Sequence, residues 1–237
     1  MPTSEFTRSN IAGSSEPDID LDALLAELTP LSDRHRRYYW AAKRAFDIVF
    51  SAAVLIFLSP LYLLIALVIF LDDPHGSPFY SQIRIGRKHR PFRFYKFRTM
   101  VVNADELRAG LQDRNERSGP AFKIKDDPRI TRIGKFLRRT SLDELPQFWN
   151  VLKGDMTIVG PRPPLPDEVA QYNRYHRMRQ LITPGLTCYW QIQDDRDSIE
   201  FNDWVAMDIQ YIQDRSFLLD LKLILLTIKV MFTGQGE

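Results

Sequence analysis

The apolar positions of this chain are gathered rather than spread. From Ile48 to Leu71 the sequence reads IVFSAAVLIFLSPLYLLIALVIFL, 24 residues without an ionisable acid or base, interrupted by Ser51, Ser59, Pro60 and Tyr62. That is the length of a membrane helix. It is too long for the apolar part of a signal peptide, starts too far from the N-terminus, and is followed by Asp72-Asp73-Pro74 rather than by small residues suited to cleavage. The run reads as a retained membrane element; a buried core helix is the alternative, although such helices usually keep a polar stripe. Ser59-Pro60 stands at the midpoint and leaves about 11 apolar residues per arm, roughly 16 Å of helix, or about half of a ~30 Å hydrocarbon core. Proline bends a helix and removes one backbone hydrogen bond, and an adjacent serine hydroxyl can satisfy the freed carbonyl. The pattern therefore favours a re-entrant hairpin over its competitor, a kinked spanning helix.

The flanks point the same way. Arg34, Arg36, Arg37, Lys43 and Arg44 precede the run; Arg84, Arg87, Lys88, Arg90, Arg93, Lys96 and Arg98 follow it with no acid between Ser81 and Met100. Short basic flanks prefer the cytoplasmic side, so both ends ask for one side of the membrane. Tyr38-Tyr39-Trp40 among these cations suits a helix entering a leaflet, or else a solvated basic face.

Elsewhere the periodicity predicts a mostly helical α+β fold. Residues 1 to 17 are polar and aperiodic and are expected to be disordered; Asp18 or Asp20 then caps a short helix carrying Leu21, Leu24, Leu25 and Leu28. Strands are predicted from Phe79 to Ile85 and from Phe92 to Arg98, joined by a turn with Gly86 and Pro91. Helices follow near Asn103 to Arg114, Thr131 to Arg139 and Leu142 to Lys153, then a short strand from Met156 to Val159. Helices near Pro166 to Leu181, Glu200 to Arg215 and Phe217 to Phe232 complete the chain. The last reads FLLDLKLILLTIKVMF, too interrupted by Asp220, Lys222 and Lys229 to span, and fits an interfacial helix or a core helix. Three parts result: an N-terminal extension over 1–33, a juxtamembrane and re-entrant segment over 34–73, and a catalytic domain over 74–237 at the cytoplasmic face.

Composition alone describes an ordinary soluble globule, with 237 residues, 44% hydrophobic, a mean hydropathy of -0.27 and a formal charge of +2. Both averages conceal segregation. The residues from Met1 to Asp47 carry a net charge of -2 and the remainder +4, so an acidic head offsets a basic domain held against an anionic membrane. Near-cancellation of charge argues against a nucleic-acid partner. The single cysteine, Cys188, excludes an internal disulfide and paired-cysteine zinc sites and reads as a packing residue.

Candidate chemistry lies in Arg138-Arg139-Thr140-Ser141-Leu142-Asp143-Glu144-Leu145-Pro146. Ser141 with Glu144 three residues on is a capping box, which would make Glu144 a helix cap and Asp143 a dipole-compensating surface acid. The other reading starts from the helix N-terminus as an anion site. Arg138 and Arg139 stand just before it, and Arg162 is fixed between Pro161 and Pro163. Adjacent carboxylates facing guanidinium groups suggest metal-assisted phosphoryl chemistry, one carboxylate attacking phosphorus and the other holding Mg²⁺. An aspartate so placed is expected to have a lowered pKa and to stay ionised.

These residues also carry a resemblance. Lys43-Arg44-Ala45-Phe46-Asp47, Ser59-Pro60, Tyr95-Lys96-Phe97-Arg98-Thr99-Met100, Thr140 to Gln147, Asn150 to Met156 and Val159-Gly160-Pro161-Arg162-Pro163 occur in the order seen in the bacterial sugar transferases, the monotopic phosphoglycosyl transferases that start glycoconjugate assembly. The resemblance covers about residues 41 to 232. It implies transfer of sugar 1-phosphate from a UDP-sugar to a polyprenyl (undecaprenyl) phosphate, with release of UMP, at the cytoplasmic face of a bacterial inner membrane. By motif position, Asp143 resembles the nucleophile that becomes a covalent phospho-sugar and Glu144 the Mg²⁺ ligand. Arg138, Arg162, Pro161, Pro163, Lys96 and Arg98 correspond to the substrate-binding part. Lys43, Arg44 and Asp47 are expected at the lipid head group, and Ser59-Pro60 at the re-entrant turn. The family's Gly-Arg after Trp190-Gln191 is replaced here by Asp194-Asp195-Arg196. Partners implied are the UDP-sugar, the polyprenyl phosphate and anionic lipid, with a homo-oligomer left open. Two other classes stay in view: a membrane-associated phosphohydrolase using the same carboxylates, and a non-catalytic scaffold gripping anionic lipid through Arg93, Lys96 and Arg98.

Overall fold

Pro60 decides the shape of the apolar run. In the computed structural model, which describes residues 33–107, 109–116, 119–120, 124, 126–193 and 198–232, helix α1 (Asp33–Phe57) and helix α2 (Ser59–Asp72) meet at Leu58 with a bend of 60°. Proline at the start of α2 leaves the carbonyl of Ile56 without its helical donor, and the Ser59 hydroxyl donates to that oxygen at 2.8 Å. No single helix among the described residues is long and apolar enough to cross a membrane, but the bent pair meets that test when its arms are taken together. The bend exposes Ile56, Phe57, Leu63, Leu64, Phe70 and Leu71. The predicted helix at Leu21 to Leu28 and the Asp194-Asp195-Arg196 segment lie outside the described residues.

Two short sheets organise the rest. Strands β1 (Phe79–Ile85) and β2 (Pro91–Phe97) form an antiparallel hairpin in which Lys96 faces Tyr80, Phe94 faces Gln82 and Phe92 faces Arg84. Side chains alternate across a strand, so these six share one face, and Arg93 points to the other. Helix α3 (Arg132–Arg139) begins at Thr131, whose hydroxyl accepts from the Gly134 amide at 2.9 Å. Gly134 then lies against the backbone after β2: a Cβ there would stand 2.0 Å from the Thr99 carbonyl, so only glycine lets α3 approach this closely. Helix α4 (Gln147–Lys153) is fastened to β2 by the fully buried Asn150, whose amide accepts from the Tyr95 N–H at 3.1 Å and donates to the Arg93 carbonyl at 2.7 Å. Strands β3 (Thr157–Val159) and β4 (Gly185–Thr187) pair in parallel. Helices α5 (Phe201–Asp214) and α6 (Phe217–Phe232) close the chain. The main core joins Phe94 of β2, Val151 of α4, Ile158 of β3, Tyr211 of α5 and Leu223 of α6 with Leu181.

Local polar chemistry accounts for the departures from the periodic pattern. The helix expected from Leu142 to Lys153 is a 3₁₀ turn over Leu142–Glu144 followed by α4, because Pro146 brings no N–H to a continuous helix. The helix expected from Pro166 to Leu181 is broken into Pro166–Ala170, Arg174–Arg177 and Met178–Gln180; the Asn173 side chain accepts from the His176 amide and starts a new turn. Asn103 to Arg114 likewise forms two short turns, Ala104–Leu107 and Ala109–Arg114. Strand β4 has too few residues to show a period. Helix α6 has one buried face with Leu223 and Asp220 and another that exposes Leu218, Leu225 and Ile228.

Candidate functional site

The hairpin, α3 and the turn after it converge on a cluster of charge. Ser141 adopts a left-handed conformation (φ 54°), makes no capping bond with its side chain, and leads into the 3₁₀ turn. The capping box is therefore not formed. Glu144, released from that role, accepts from Lys96 Nζ at 2.7 Å, and Asp143 Oδ2 stands 3.3 Å from the same ammonium. Asp143 is buried at 4% exposure, whereas about a third of the Glu144 side chain reaches solvent. The two neighbouring acids thus differ in surroundings: one is enclosed, the other stands at the mouth.

Arg138 donates through Nε to the Thr99 hydroxyl at 3.0 Å and acts electrostatically on both Asp143 and Lys96. Burial raises the Asp143 carboxyl above the usual aspartate range, partly offset by Lys96, with Glu144 adding to the rise and Arg138 opposing it. This corrects the expectation of a lowered value: the acid is enclosed, and desolvation outweighs the cations. Burial alone would depress the Lys96 ammonium, but Asp143 and Glu144 outweigh it and hold the group above the ordinary lysine value.

Beside this pair lies a second layer, in which the expected Arg162 is joined by Arg84, Gln82 and Glu168, residues that the sequence did not single out. Arg84, enclosed on the same hairpin face, donates from Nε and Nη2 to Gln82 Oε1 at 3.1 and 2.8 Å and from Nη1 to the Pro163 carbonyl at 2.8 Å. Burial pulls its pKa down to about 9, with the nearby Arg162 adding to the effect and Glu168, Tyr80 and Glu144 opposing it. Arg162 lies in the loop after β3, between the buried Pro161 and Pro163, and its Nη1 is 3.4 Å from the buried Glu168 carboxylate, which also accepts from the Leu165 amide. Burial would raise Glu168, but Arg162 and then Arg84 outweigh it and lower its pKa. Arg84 and Arg162 against Glu168 leave an excess of positive charge, and Arg84 acts electrostatically on Glu144. The period-two register of β1 was the signal for Arg84 and Gln82, since both share a strand face with Lys96.

Other expected site residues are elsewhere. Arg98 is turned away from Lys96 and binds the Asp73 carboxylate and carbonyl and the Gly76 carbonyl, so it fastens the end of α2 to the domain. The expected lipid-facing set is internal. Lys43 pairs with Asp220 at 2.7 Å in near-complete burial; Arg44 donates to the Val151 and Leu152 carbonyls at 2.6 and 2.8 Å, closing the end of α4; Asp47 accepts from the Thr157 hydroxyl and the Ile158 amide. These three join α1 to α6, α4 and β3. Tyr39 follows them, donating to Asp220, while Tyr38 stays exposed. Ser59 and Pro60 are at the bend, and Cys188 is fully buried. Arg139 is exposed.

No group of three His, Cys, Asp or Glu suited to a metal occurs among the described residues. The partly open Glu144 carboxylate is an oxygen donor of the kind that fits Mg²⁺, which commonly takes one or two protein carboxylates and completes its shell with water and substrate phosphates.

The family model described as bacterial sugar transferase matches residues 38–234. "Galactosyl transferase CpsE" of Streptococcus agalactiae is 50% identical over 161 residues, which are 68% of this chain and 36% of that protein. "Exopolysaccharide production protein ExoY" of Sinorhizobium fredii is 40% identical over 204 residues, covering 83% of this chain and 88% of the relative. "Undecaprenyl-phosphate galactose phosphotransferase" of Salmonella typhimurium is 38% identical over 198 residues, 82% of this chain and 41% of that protein. The chain thus spans about two fifths or less of some relatives and most of another.

Proposed function

Since this chain belongs to the bacterial sugar transferase family, we propose that it transfers sugar 1-phosphate from a UDP-sugar to undecaprenyl phosphate, in two displacements through Asp143. The observation that carries the reading is the Lys96 ammonium shared by the enclosed Asp143 and the more open Glu144, with Arg138 beside them. In the first displacement an Asp143 carboxylate oxygen forms a bond to the sugar-bearing phosphorus, and the bond from that phosphorus to the bridging oxygen breaks. UMP leaves with the electron pair. In the second, a phosphate oxygen of the lipid attacks the same phosphorus and Asp143 departs as carboxylate, giving the lipid diphosphate sugar.

Each side chain has a role in this scheme. Lys96 and Arg138 keep Asp143 available as an anion against the cost of its burial. Arg138, Arg162 and the Arg84 that stands behind it supply fixed positive charge where negative charge builds on phosphorus and leaving group. Glu144, with its partly open carboxylate, would hold Mg²⁺, which when bound neutralises diphosphate charge so that an anionic nucleophile can approach. Splitting the transfer means that soluble donor and lipid acceptor need not be held at once. The bent α1–α2 pair, with Arg98 and Asp73 tying its far end beside β2, would dip into the cytoplasmic leaflet as a re-entrant hairpin and bring the lipid phosphate to the site. The scaffold alternative is weakened at Lys96 and Arg98, which pair with carboxylates of this chain, and rests on the exposed Arg93.

The test is direct. Purified protein with Mg²⁺, undecaprenyl phosphate and a panel of UDP-sugars should release UMP and form lipid diphosphate sugar with at least one of them. Steady release of sugar phosphate without lipid would instead identify a phosphohydrolase, and no release from any donor would refute the proposal.

A further inference from the structure

A cavity of about 500 Å³ lies at the tip of the β1–β2 hairpin, in the size range of small-molecule sites. Arg87, Lys88 and Arg90 line it from the tip, with Gly154, Asp155 and Thr183 across from them. Phe92 in its wall is four residues from Lys96, or about 13 Å of extended strand, and the tip is farther still. The cavity therefore lies away from the Lys96, Asp143 and Glu144 cluster, with Phe92 facing Arg84 across the hairpin between them.

Its construction favours an anion. Lys88 and His89 both hold left-handed backbone conformations, at φ 54° and 57°, which turn the tip sharply between Arg87 and Arg90. The Arg87 guanidinium lies 5.9 Å over the Trp40 ring, and its Nε is buried with no acceptor among the protein atoms described. The single acid in the lining is already engaged: Asp155 accepts from Lys153 at 3.0 Å and from the Asn150 amide at 3.3 Å. Gly154, at φ 92°, keeps the opposite wall bare; a Cβ there would stand 3.3 Å from an Arg44 nitrogen. Cations thus converge on a space whose own acid is neutralised, and phosphate oxygens are the acceptors that match guanidinium donors most closely.

We propose that the hairpin-tip cavity is a second binding site, distinct from the reaction centre, for a phosphate-bearing ligand. That phosphate comes either from a soluble phosphorylated molecule or from a phospholipid head group. Full-length protein is titrated calorimetrically without Mg²⁺, in one arm with inorganic pyrophosphate and in the other with phosphatidylcholine vesicles containing or lacking phosphatidic acid. In the arm that binds, R87Q and R90Q should each weaken association about tenfold or more, the loss of one charge-assisted hydrogen bond, while R162Q leaves it unchanged. Binding of pyrophosphate assigns a soluble source and phosphatidic-acid-dependent binding a lipid one; both support the site. Equal thermal unfolding midpoints for R90Q and the parent protein secure the comparison, and R87K, which keeps the charge, should retain most of the affinity. Binding in neither arm, or binding lost in R162Q but not in R87Q and R90Q, would overturn the proposal.

Discussion

The Lys43 ammonium on α1 and the Asp220 carboxylate on α6 stand 2.7 Å apart, each side chain about 5% exposed. Tyr39 and Tyr211 also donate to Asp220, at 3.0 and 2.7 Å, so the carboxylate is fully supplied with donors. The pair pins the first described helix to the last. Removing one partner of a buried ion pair typically costs about 3–5 kcal/mol, whereas an apolar replacement of both is far milder. K43A should therefore lower the unfolding free energy by about 3–5 kcal/mol, and K43M/D220L by clearly less than the two single changes combined. Denaturant titration checks this, and a K43A protein as stable as the parent would contradict the assignment.

Asp143 gives the activity a defined acid limb. Its carboxyl is raised by burial, and the proposed reaction needs its anion. Turnover should fall as pH drops through a value above the ordinary aspartate pKa of about 3.9. Lys96 opposes the rise, so K96M should move the acid limb to still higher pH as well as slow the reaction. A profile whose acid limb is unmoved in K96M would argue against coupling between these groups.

Arg84 donates to the Pro163 carbonyl on the loop that bears Arg162, and under the proposed mechanism it is a positioning residue. Lysine keeps the charge but cannot reproduce the fork to Gln82 and Pro163. R84K should lose about 10- to 100-fold in kcat/KM, equivalent to roughly 1.4–2.7 kcal/mol, with its unfolding midpoint nearly unchanged. Steady-state kinetics with the accepted donor would show it.

The re-entrant reading makes a topological prediction. Cys188 is fully buried, so a cysteine at His75, whose side chain is 86% exposed just beyond α2, reports the side of the membrane on which the hairpin ends. H75C should resist a membrane-impermeant maleimide applied from outside spheroplasts and react once they are lysed. In S59A/P60A/H75C, which restores a continuous helix, a fraction should become labelled from outside. External labelling of H75C alone would establish a spanning helix.

Much of this arrangement was written in local pattern. The strand Phe79–Ile85 and the helix Phe217–Phe232 match their predicted bounds because neither contains a proline or glycine to break it, and Ser59 fills the role its place beside Pro60 implies. Asp143, Glu144, Arg138 and Lys96 come from separate motifs and lie together in the fold. What was not legible depended on tertiary contact. The positive φ of Ser141 cancels a capping box that is correct in letters, since the side chain no longer reaches the amide. Lys43, Arg44 and Asp47 read as a head-group cluster because charges beside an apolar run usually face solvent; here their partners lie more than a hundred residues away. Arg84 was hidden among flanking cations until strand register placed it beside Lys96.

The most direct test is to trap the intermediate on Asp143. Protein incubated with Mg²⁺ and the accepted UDP-sugar, without lipid, is quenched in acid, digested and examined by mass spectrometry alongside UMP quantification. One equivalent of UMP per active site is expected, with a phospho-sugar mass increase on Asp143 that is absent in D143N. An adduct on Glu144, or UMP formed only when undecaprenyl phosphate is present and with no adduct, would contradict this mechanism.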